Sequence, residues 1–363
     1  MVAIANYRLD VYDTDGVLQA ALTDFQWLSY TKRVNHPGVI QFGLNGDHAL
    51  LSTLADKWQV EVWRKPAGGS WGREITGLFR MLTYTYSESA NVSVFCQGLM
   101  SILDWRIVAY TAGYTDRSSF SSAKAETVAN TLVKYNAEAA ITMTGRERNG
   151  SITGLSVETD GAEGNTIDWN CAWDNLLETL QKLAMIGGGD FDLVKTSSTT
   201  WQWRWYTGQL GTDRSSSVTF ALNYGNMANP VYIANHTAEK TVAIVGGPGE
   251  REARSIVVRT GTDYVETDHD FEMFVSASDL ATTAALNSRG DQKLAQVEAT
   301  KEFRFTALQT DACKYGTHYV LGDLVTAVNP FVSTTYVVKV DAVMVTLKNN
   351  GDEMIDIEMS EPL

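Results

Sequence analysis

Hydrophobic residues recur at every second position through both ends of this chain, and that period commits both ends to β-strands. Tyr7, Leu9 and Val11 alternate with polar neighbours, and Asp15-Gly16 then supplies a tight turn before Val17-Leu18, which reads as a hairpin. Trp58, Val60 and Val62 alternate again, as do residues 79 to 86 and 92 to 96, with Gly68-Gly69 and Gly77 marking turns. The opening hundred residues are therefore expected to form a small β-barrel or sandwich. Toward the other end Phe303 and Phe305 alternate with charges, and strands are expected at 324–328, 335–346 and 354–359. The last two are joined by Asn349-Asn350-Gly351, a strong hairpin turn.

Between these ends the period changes. Residues 122–138 place Val128, Leu132 and Tyr135 on one helical face behind a Ser cap. A second helix is expected from about Ala172 to Ile186, with Asn170 as N-cap, an apolar stripe of Leu176, Leu177, Leu180, Leu183 and Ala184, and Gly187 as the stop. Trp201, Trp203 and Trp205 then share one strand face, followed by Val218, Phe220 and Leu222. From Thr241 a strand runs into Gly246-Gly247-Pro248-Gly249. A third helix is expected to start near Ser276 or Ser278 and to carry Leu280, Leu286, Leu294 and Val297, with a break near Gly290. The order is strands, a mixed α/β insert, then strands, without an internal repeat or a low-complexity linker.

At 363 residues the chain is too long for one comfortable core and fits two or three domains. No apolar run reaches about 18 residues, so neither a membrane span nor a signal peptide is expected. Cys96, Cys171 and Cys313 lie far apart with no CxxC pair, as befits reduced, buried thiols of a chain made in a cytosol. The net charge of −14 is uneven: about −1 over residues 1–120, about −4 over 121–230 and about −9 over 231–363. Without a basic stripe such a chain has no means of gripping a nucleic-acid backbone, although it can line a passage to which DNA must not adhere.

Motifs that carry chemistry are missing. His36, His48, His236, His269 and His318 are scattered without HxH or HxxxH spacing, and Thr267-Asp268-His269-Asp270-Phe271-Glu272 reads as charges alternating on an exposed segment. Gly150-Ser151-Ile152-Thr153-Gly154 has serine in the wrong place for a nucleophile elbow. Gly187-Gly188-Gly189 ends a helix instead of opening one, and Gly246-Gly247-Pro248-Gly249 fits a loop better than a phosphate cradle. Asp13-Thr14-Asp15-Gly16 lacks the later ligands of a calcium loop and reads as a turn. No catalytic, cofactor-binding or metal-binding residue is assigned, and no cofactor is expected. The tryptophan stripe at 201, 203 and 205 could stack on sugar rings, but large aromatic faces usually bury against a helix or a subunit neighbour.

Several stretches, in order, resemble the tail-tip (baseplate) hub protein family of long-tailed siphophages. They are Gly77 with the strand Arg80 to Tyr86; Cys96-Gln97-Gly98-Leu99 leading to Ile102-Leu103-Asp104-Trp105-Arg106; and Asp174-Asn175-Leu176-Leu177. Then come Gly211-Thr212-Asp213-Arg214-Ser215; Gly225-Asn226-Met227; Val242 to Gly249 before Arg254; the segment Phe274 to Leu280; Arg289-Gly290; and Leu321-Gly322-Asp323-Leu324-Val325-Thr326. The segments beginning at Gly211 and Leu321 are the more specific. One departure is Ser276, where the family often has an acid.

The resemblance implies an α+β, mainly β fold like that of contractile-tail hub proteins: two related β-barrel hub domains, 1–110 and 236–363, around an inserted mixed α/β domain, 111–235. It also implies a non-enzymatic virion structural protein, made in the host bacterial cytoplasm and placed at the tail tip. There a homotrimer forms a pseudo-sixfold ring, which docks on the hexameric distal tail protein ring, carries tip fibre or receptor-binding proteins, and encloses the channel for tape-measure protein and DNA. Two barrels per subunit let a threefold object match a sixfold one. The competing readings are a carbohydrate-binding adhesin using Trp201, Trp203 and Trp205, and a wall-degrading tail enzyme. Relatives often carry that enzyme in a C-terminal extension, whereas this chain ends at Leu363 after its last expected hairpin.

Overall fold

A computed structural model of the chain describes residues 5–86, 90–109, 117–138, 151–261, 264–265, 270–331, 334–348 and 351–360. In the first third, β1 (Asn6–Tyr12), β2 (Leu18–Leu22), β3 (Trp27–Arg33), β4 (His36–Asn45), β5 (Gln59–Lys65), β6 (Gly72–Tyr86) and β7 (Ala90–Gly98) precede the one-turn α1 (Ser101–Asp104). The middle holds β8 (Ser118–Lys124), α2 (Ala125–Asn136), β9 (Leu155–Val157), β10 (Thr166–Cys171), α3 (Leu176–Gly187), β11 (Gly189–Lys195) and β12 (Trp201–Thr207). There follow β13 (Thr219–Phe220), β14 (Met227–Asn235), β15 (Val242–Gly246), β16 (Ile256–Thr260), β17 (Glu272–Ser276) and α4 (Thr283–Ala295). The last strands are β18 (Thr300–Ala307), β19 (Leu324–Asn329), β20 (Thr334–Leu347) and β21 (Glu353–Ser360).

The protein is mainly β, as the period-2 pattern predicts. Strands from both ends of the chain join one hydrogen-bonded sheet, ordered β14-β18-β21-β20-β3-β4-β7-β6-β5-β1-β2. The join is made by the long strand β20. Its first half pairs with β19, while Ala342 to Leu347 pair antiparallel with Arg33 to Leu28 of β3. Burial follows the pairing, because Leu9, Tyr30, Ile40, Phe42 and Val60 from the first third and Phe305, Val340 and Ile357 from the last share one hydrophobic cluster, which Phe220 of β13 also enters. The strands β13 and β14, which fall inside the 111–235 segment, pair with β19 and β18.

Two smaller cores are formed among the described residues. In the middle part α2 and α3 pack on β9, β11 and β12, burying Leu132, Leu180, Phe191 and Trp203 together. Farther on, the three-stranded sheet β16-β15-β17 packs one face on α4 through Ala243, Val245, Val275, Leu286 and Leu294.

Helix starts differ from the sequence expectations, each for a local reason. The first expected Ser cap is replaced by Lys124, which has no side-chain cap bond. Ser118 to Lys124 are held as a strand against β10, and Ser122 N–H donates to Asp168 Oδ1 (2.7 Å). Glu126 in the first turn of α2 instead accepts N–H bonds from Gly161 and Glu163, both 2.9 Å. Asn170, the expected second cap, belongs to β10; α3 begins after Asn175, whose side chain accepts from Glu178 N–H, and stops at left-handed Gly188. The third helix starts after Thr282, not near Ser276 or Ser278, because Glu272 to Ser276 complete the small sheet. It is unbroken at Gly290, where a Cβ would meet Arg259 Cγ at 2.6 Å and Val245 Cγ2 at 2.8 Å. That glycine permits close helix-to-sheet approach.

Candidate assembly surfaces

The two most specific sequence segments, 110 residues apart, meet in space. Gly211 N–H donates to Gly322 O (3.2 Å), Leu324 N–H to Thr212 O (3.1 Å) and Arg214 N–H to Leu324 O (2.8 Å). Asp323 is buried in this clasp and accepts the N–H groups of Thr212 (2.7 Å) and Val320 (2.9 Å). Glycine is required on both sides: Gly322 has φ +85°, and a Cβ on Gly211 would strike the Asp323 backbone. The parallel pair β13–β19 continues the clasp. These motifs are explained by the tie they make between the end of the middle segment and the last third.

Further buried polar contacts join the parts. Asp190 on β11 accepts from Asn35 Nδ2 (3.0 Å) in the β3–β4 turn, from Leu210 N–H (2.9 Å) and from Lys339 Nζ of β20 (3.1 Å), so one carboxylate binds three segments. Glu61 on β5 takes Lys195 (2.9 Å), Arg73 (3.1 Å) and Trp63 Nε1 (3.0 Å). Burial lowers the Lys195 pKa from its ordinary value, and Glu61 opposes that shift. A third network links Arg64 to Glu353 (2.7 and 3.1 Å), to Tyr315 O (3.2 Å) and to Tyr7, which also donates to Glu353. Buried charge contacts thus link all three parts, and removing one partner would leave the other charge unpaired.

The residues considered for chemistry have structural employment. Trp203 is fully buried, stacks against Phe191 at 4.8 Å and donates from Nε1 to Asn130 Oδ1 (2.8 Å); Trp205 is buried and Trp201 half-buried. The stripe thus covers α2 and its surroundings and offers sugars no open platform. Asp13 accepts from Asp15 and Val17 N–H in the β1–β2 turn, with Gly16 at φ +76°. A Cβ on Gly187 would meet Ala125, and one on Gly189 would meet Trp205, so those glycines serve packing. His36 faces Gln181, His236 faces Glu239, and His48 and His318 each accept a nearby backbone N–H. No group of three or more metal-type side chains occurs among the described residues. Thr267, Asp268 and His269 of the Thr267–Glu272 cluster lie outside the described residues, as do Gly150 and Asn349-Asn350.

The three cysteines are buried and free. Burial pushes the Cys171 thiol up to about 12 and the Cys313 thiol up to about 11, and it also raises Cys96. Native protein at pH 8 is expected to leave a disulfide-exchange reagent unreacted over minutes, with three thiols released on unfolding. The folded state holds these protons more tightly than the unfolded state. Stability should therefore be full below the unfolded thiol pKa and fall as pH rises above it, by roughly 1–2 kcal/mol per thiol by pH 10. Denaturation midpoints measured at pH 7, 8.5 and 10 check the sign.

Among the described residues, two apolar surfaces stand out as uncovered. On the small sheet, the face away from α4 aligns Val258, Ile244 and Phe274 in one row across three strands, with Ile256 beside them. Val258 and Phe274 are each 58% exposed and Ile256 is 50% exposed, while Arg254 lies 5.2 Å above the Phe274 ring. The second surface is the β6–β7 arm. Pairing with β5 stops at Leu78, and Met81, Tyr84 and Tyr86 are exposed beyond it on a strand edge bonded only to β7 among the described residues. Contiguous exposed apolar area of this kind marks an interaction surface.

Residues 8–359 match the model of a single protein family, described as Siphovirus ReqiPepy6 Gp37-like protein. The chain belongs to that family. No curated protein matches it. Among solved structures, it is similar to the 43 kDa tail protein of prophage MuSo2 from Shewanella oneidensis, with TM-score 0.61, 12% identity and 98% of each chain covered. It is also similar to the tail protein from Neisseria meningitidis MC58, with TM-score 0.58, 12% identity, and 98% of this chain and 97% of that one covered. A chain of the lidded Francisella PdpA–VgrG complex gives TM-score 0.55 at 8% identity, covering 98% of this chain but 52% of that one. The resemblance read from the ordered motifs is borne out. This member of the Gp37-like family has a mainly β fold similar to that of the two prophage tail proteins.

Proposed function

We propose that the chain is a structural hub at the tip of a phage tail, assembling as a trimer whose pseudo-sixfold ring joins the hexameric distal tail ring to the tip. The observation that carries this reading is the family match over nearly the whole chain, on a fold shared end to end with prophage tail proteins. The continuous sheet supports it, since each end of the chain supplies one half of the sheet, as two barrel-type hub parts would. In this reading residues 1–110 and 236–363 are the ring-forming parts and 111–235 the insert, with β13 and β14 lent to the second part. The ring encloses the passage for tape-measure protein and DNA, and tip fibre or receptor-binding proteins attach to it. Acidic groups of the last third face that passage and repel phosphate. The hub itself works without catalytic residues; a second copy covers the Val258–Ile244–Phe274 row.

Light scattering and negative-stain imaging of the purified protein test this. A particle of three times the 39.9 kDa subunit with a central hole is expected. A native monomer at tens of micromolar would remove the ring. Covering the apolar row should contribute roughly 3–5 kcal/mol per subunit. Val258→Asp with Phe274→Asp is therefore expected to shift trimer toward monomer while leaving the subunit's thermal midpoint within about 2 °C of wild type. A trimer that survives both changes places the subunit contact elsewhere.

A further inference from the structure

Between α3, β10 and α4 lies a cleft whose charge opposes that of the chain. Its walls carry four cations, Arg117, Lys182, Arg289 and Lys293, against two carboxylates, Asp174 and Asp279, in a protein of net charge −14. The carboxylates do not neutralise it. Asp279 Oδ2 is shared between Arg117 (2.8 Å) and Arg289 (3.4 Å), and among the described residues Lys182 has only the Glu178 carboxylate within ion-pair distance, at 4.0 Å. Lys293 Nζ has the amide oxygen of Gln296 at 3.2 Å and, among the described residues, no carboxylate within ion-pair distance. The cleft is backed by buried Trp169 and Cys171, so these like charges meet in surroundings with less water to screen them. The lysine registers the strain: burial, then Lys182 and Arg289, lower its pKa from the ordinary value, and Asp174 opposes the shift without reversing it.

Uncompensated like charges held in one cleft destabilise a fold unless something of opposite sign completes them. We propose that this cleft is a binding site for a small, multiply charged oxyanion of the phosphate class, seated between Lys182, Arg289 and Lys293. Three converging donor groups suit a tetrahedral anion, whose oxygens accept from several directions at once. The ligand would pin α4, and with it the small sheet, to the middle part of the chain. Sequence alone conceals the site, because its cations come from three separate segments and are outnumbered by acids in the surrounding chain.

Thermal unfolding with inorganic phosphate at about 20 mM, against chloride at equal ionic strength and pH 7.5, tests the proposal. Wild type should gain about 2–3 °C, as mass action predicts for a millimolar site. The double variant Lys182→Gln, Lys293→Gln should unfold about 1 °C higher than wild type without phosphate, because the repulsion is relieved, and should lose the phosphate shift. Calorimetric titration with phosphate should show binding to wild type and to Lys293→Arg, which keeps the charge, but not to the double variant. A phosphate shift that persists in the double variant is a general salt effect and overturns the site. So does the absence of any shift in wild type, or a double variant that unfolds lower without phosphate, since the cations would then be stabilising one another's surroundings unaided.

Discussion

Arg64→Ala should cost about 3–5 kcal/mol of stability, among the largest losses available to a single polar substitution in this protein. Arg64 on β5 is 4% exposed at its side chain and holds Glu353 at the start of β21 in a two-pronged contact. Removing it leaves the Glu353 carboxylate, the Tyr315 carbonyl and the Tyr7 hydroxyl without their cation in a region that water reaches poorly. Around it, Tyr315 donates to Glu74 (2.8 Å), so a second carboxylate shares the loss. Two controls separate charge from volume. Arg64→Met should remain nearly as damaging, because the buried acid is still unpaired. Pairing it with Glu353→Leu should recover much of the loss, because an apolar pair of similar size replaces a buried ion pair at little net cost. Denaturant midpoints for the three proteins decide the matter; an Arg64→Met variant close to wild type and well above Arg64→Ala would show that the network contributes only packing.

Gly98→Ala is expected to cost about 3 kcal/mol or more and to shift much of the expressed protein into the insoluble fraction. Gly98 faces Gly77 across the β6–β7 ladder, and a Cβ there would run into the backbone carbonyl of Pro37. Backbone cannot swing aside as a side chain can: Pro37 lies on β4, and Ile40 and Phe42 just beyond it are fully buried. Gly72→Ala is the comparison, since its nearest neighbour would be Arg64 O at 4.0 Å and its φ is ordinary. That change should lie within about 1 kcal/mol of wild type. Soluble yield and thermal midpoint of the two variants read the difference.

Much of this architecture is visible in local pattern. Alternation at Tyr7, Leu9 and Val11 and at Phe303 and Phe305 predicts the strands that are found, and the five-residue stripe of α3 is buried throughout. What local pattern cannot carry is partner choice. Nothing near Leu28–Arg33 says that its neighbour is Ala342–Leu347, because the hydrogen bonds involve backbone groups that every residue shares. Cap residues misled for a related reason: Asn170 and the serines before Ala125 are good caps, but cross-strand pairing took them first. The exposed Val258 and Phe274 also read as ordinary strand residues, since alternation does not disclose that one sheet face has α4 against it and the other is open. The motif glycines were legible as positions and only the contacts explain them, as Gly211 with Gly322 and Gly98 with Pro37 show.

The long strand β20 also sets a timetable. Until Ala342–Leu347 exist, the outer edge of β3 has no hydrogen-bonding partner, although β4 on its other side is made within a few residues. A ribosome adding about 5–20 residues per second leaves that edge open for roughly 15–60 s, while the first third already displays half of a shared apolar core. An unpaired strand edge beside exposed core is a template for association with other nascent chains. Successful production of this protein thus depends on keeping early chains apart in time or space. Slower initiation or a lower growth temperature should raise the soluble fraction more than any change that stabilises the finished fold.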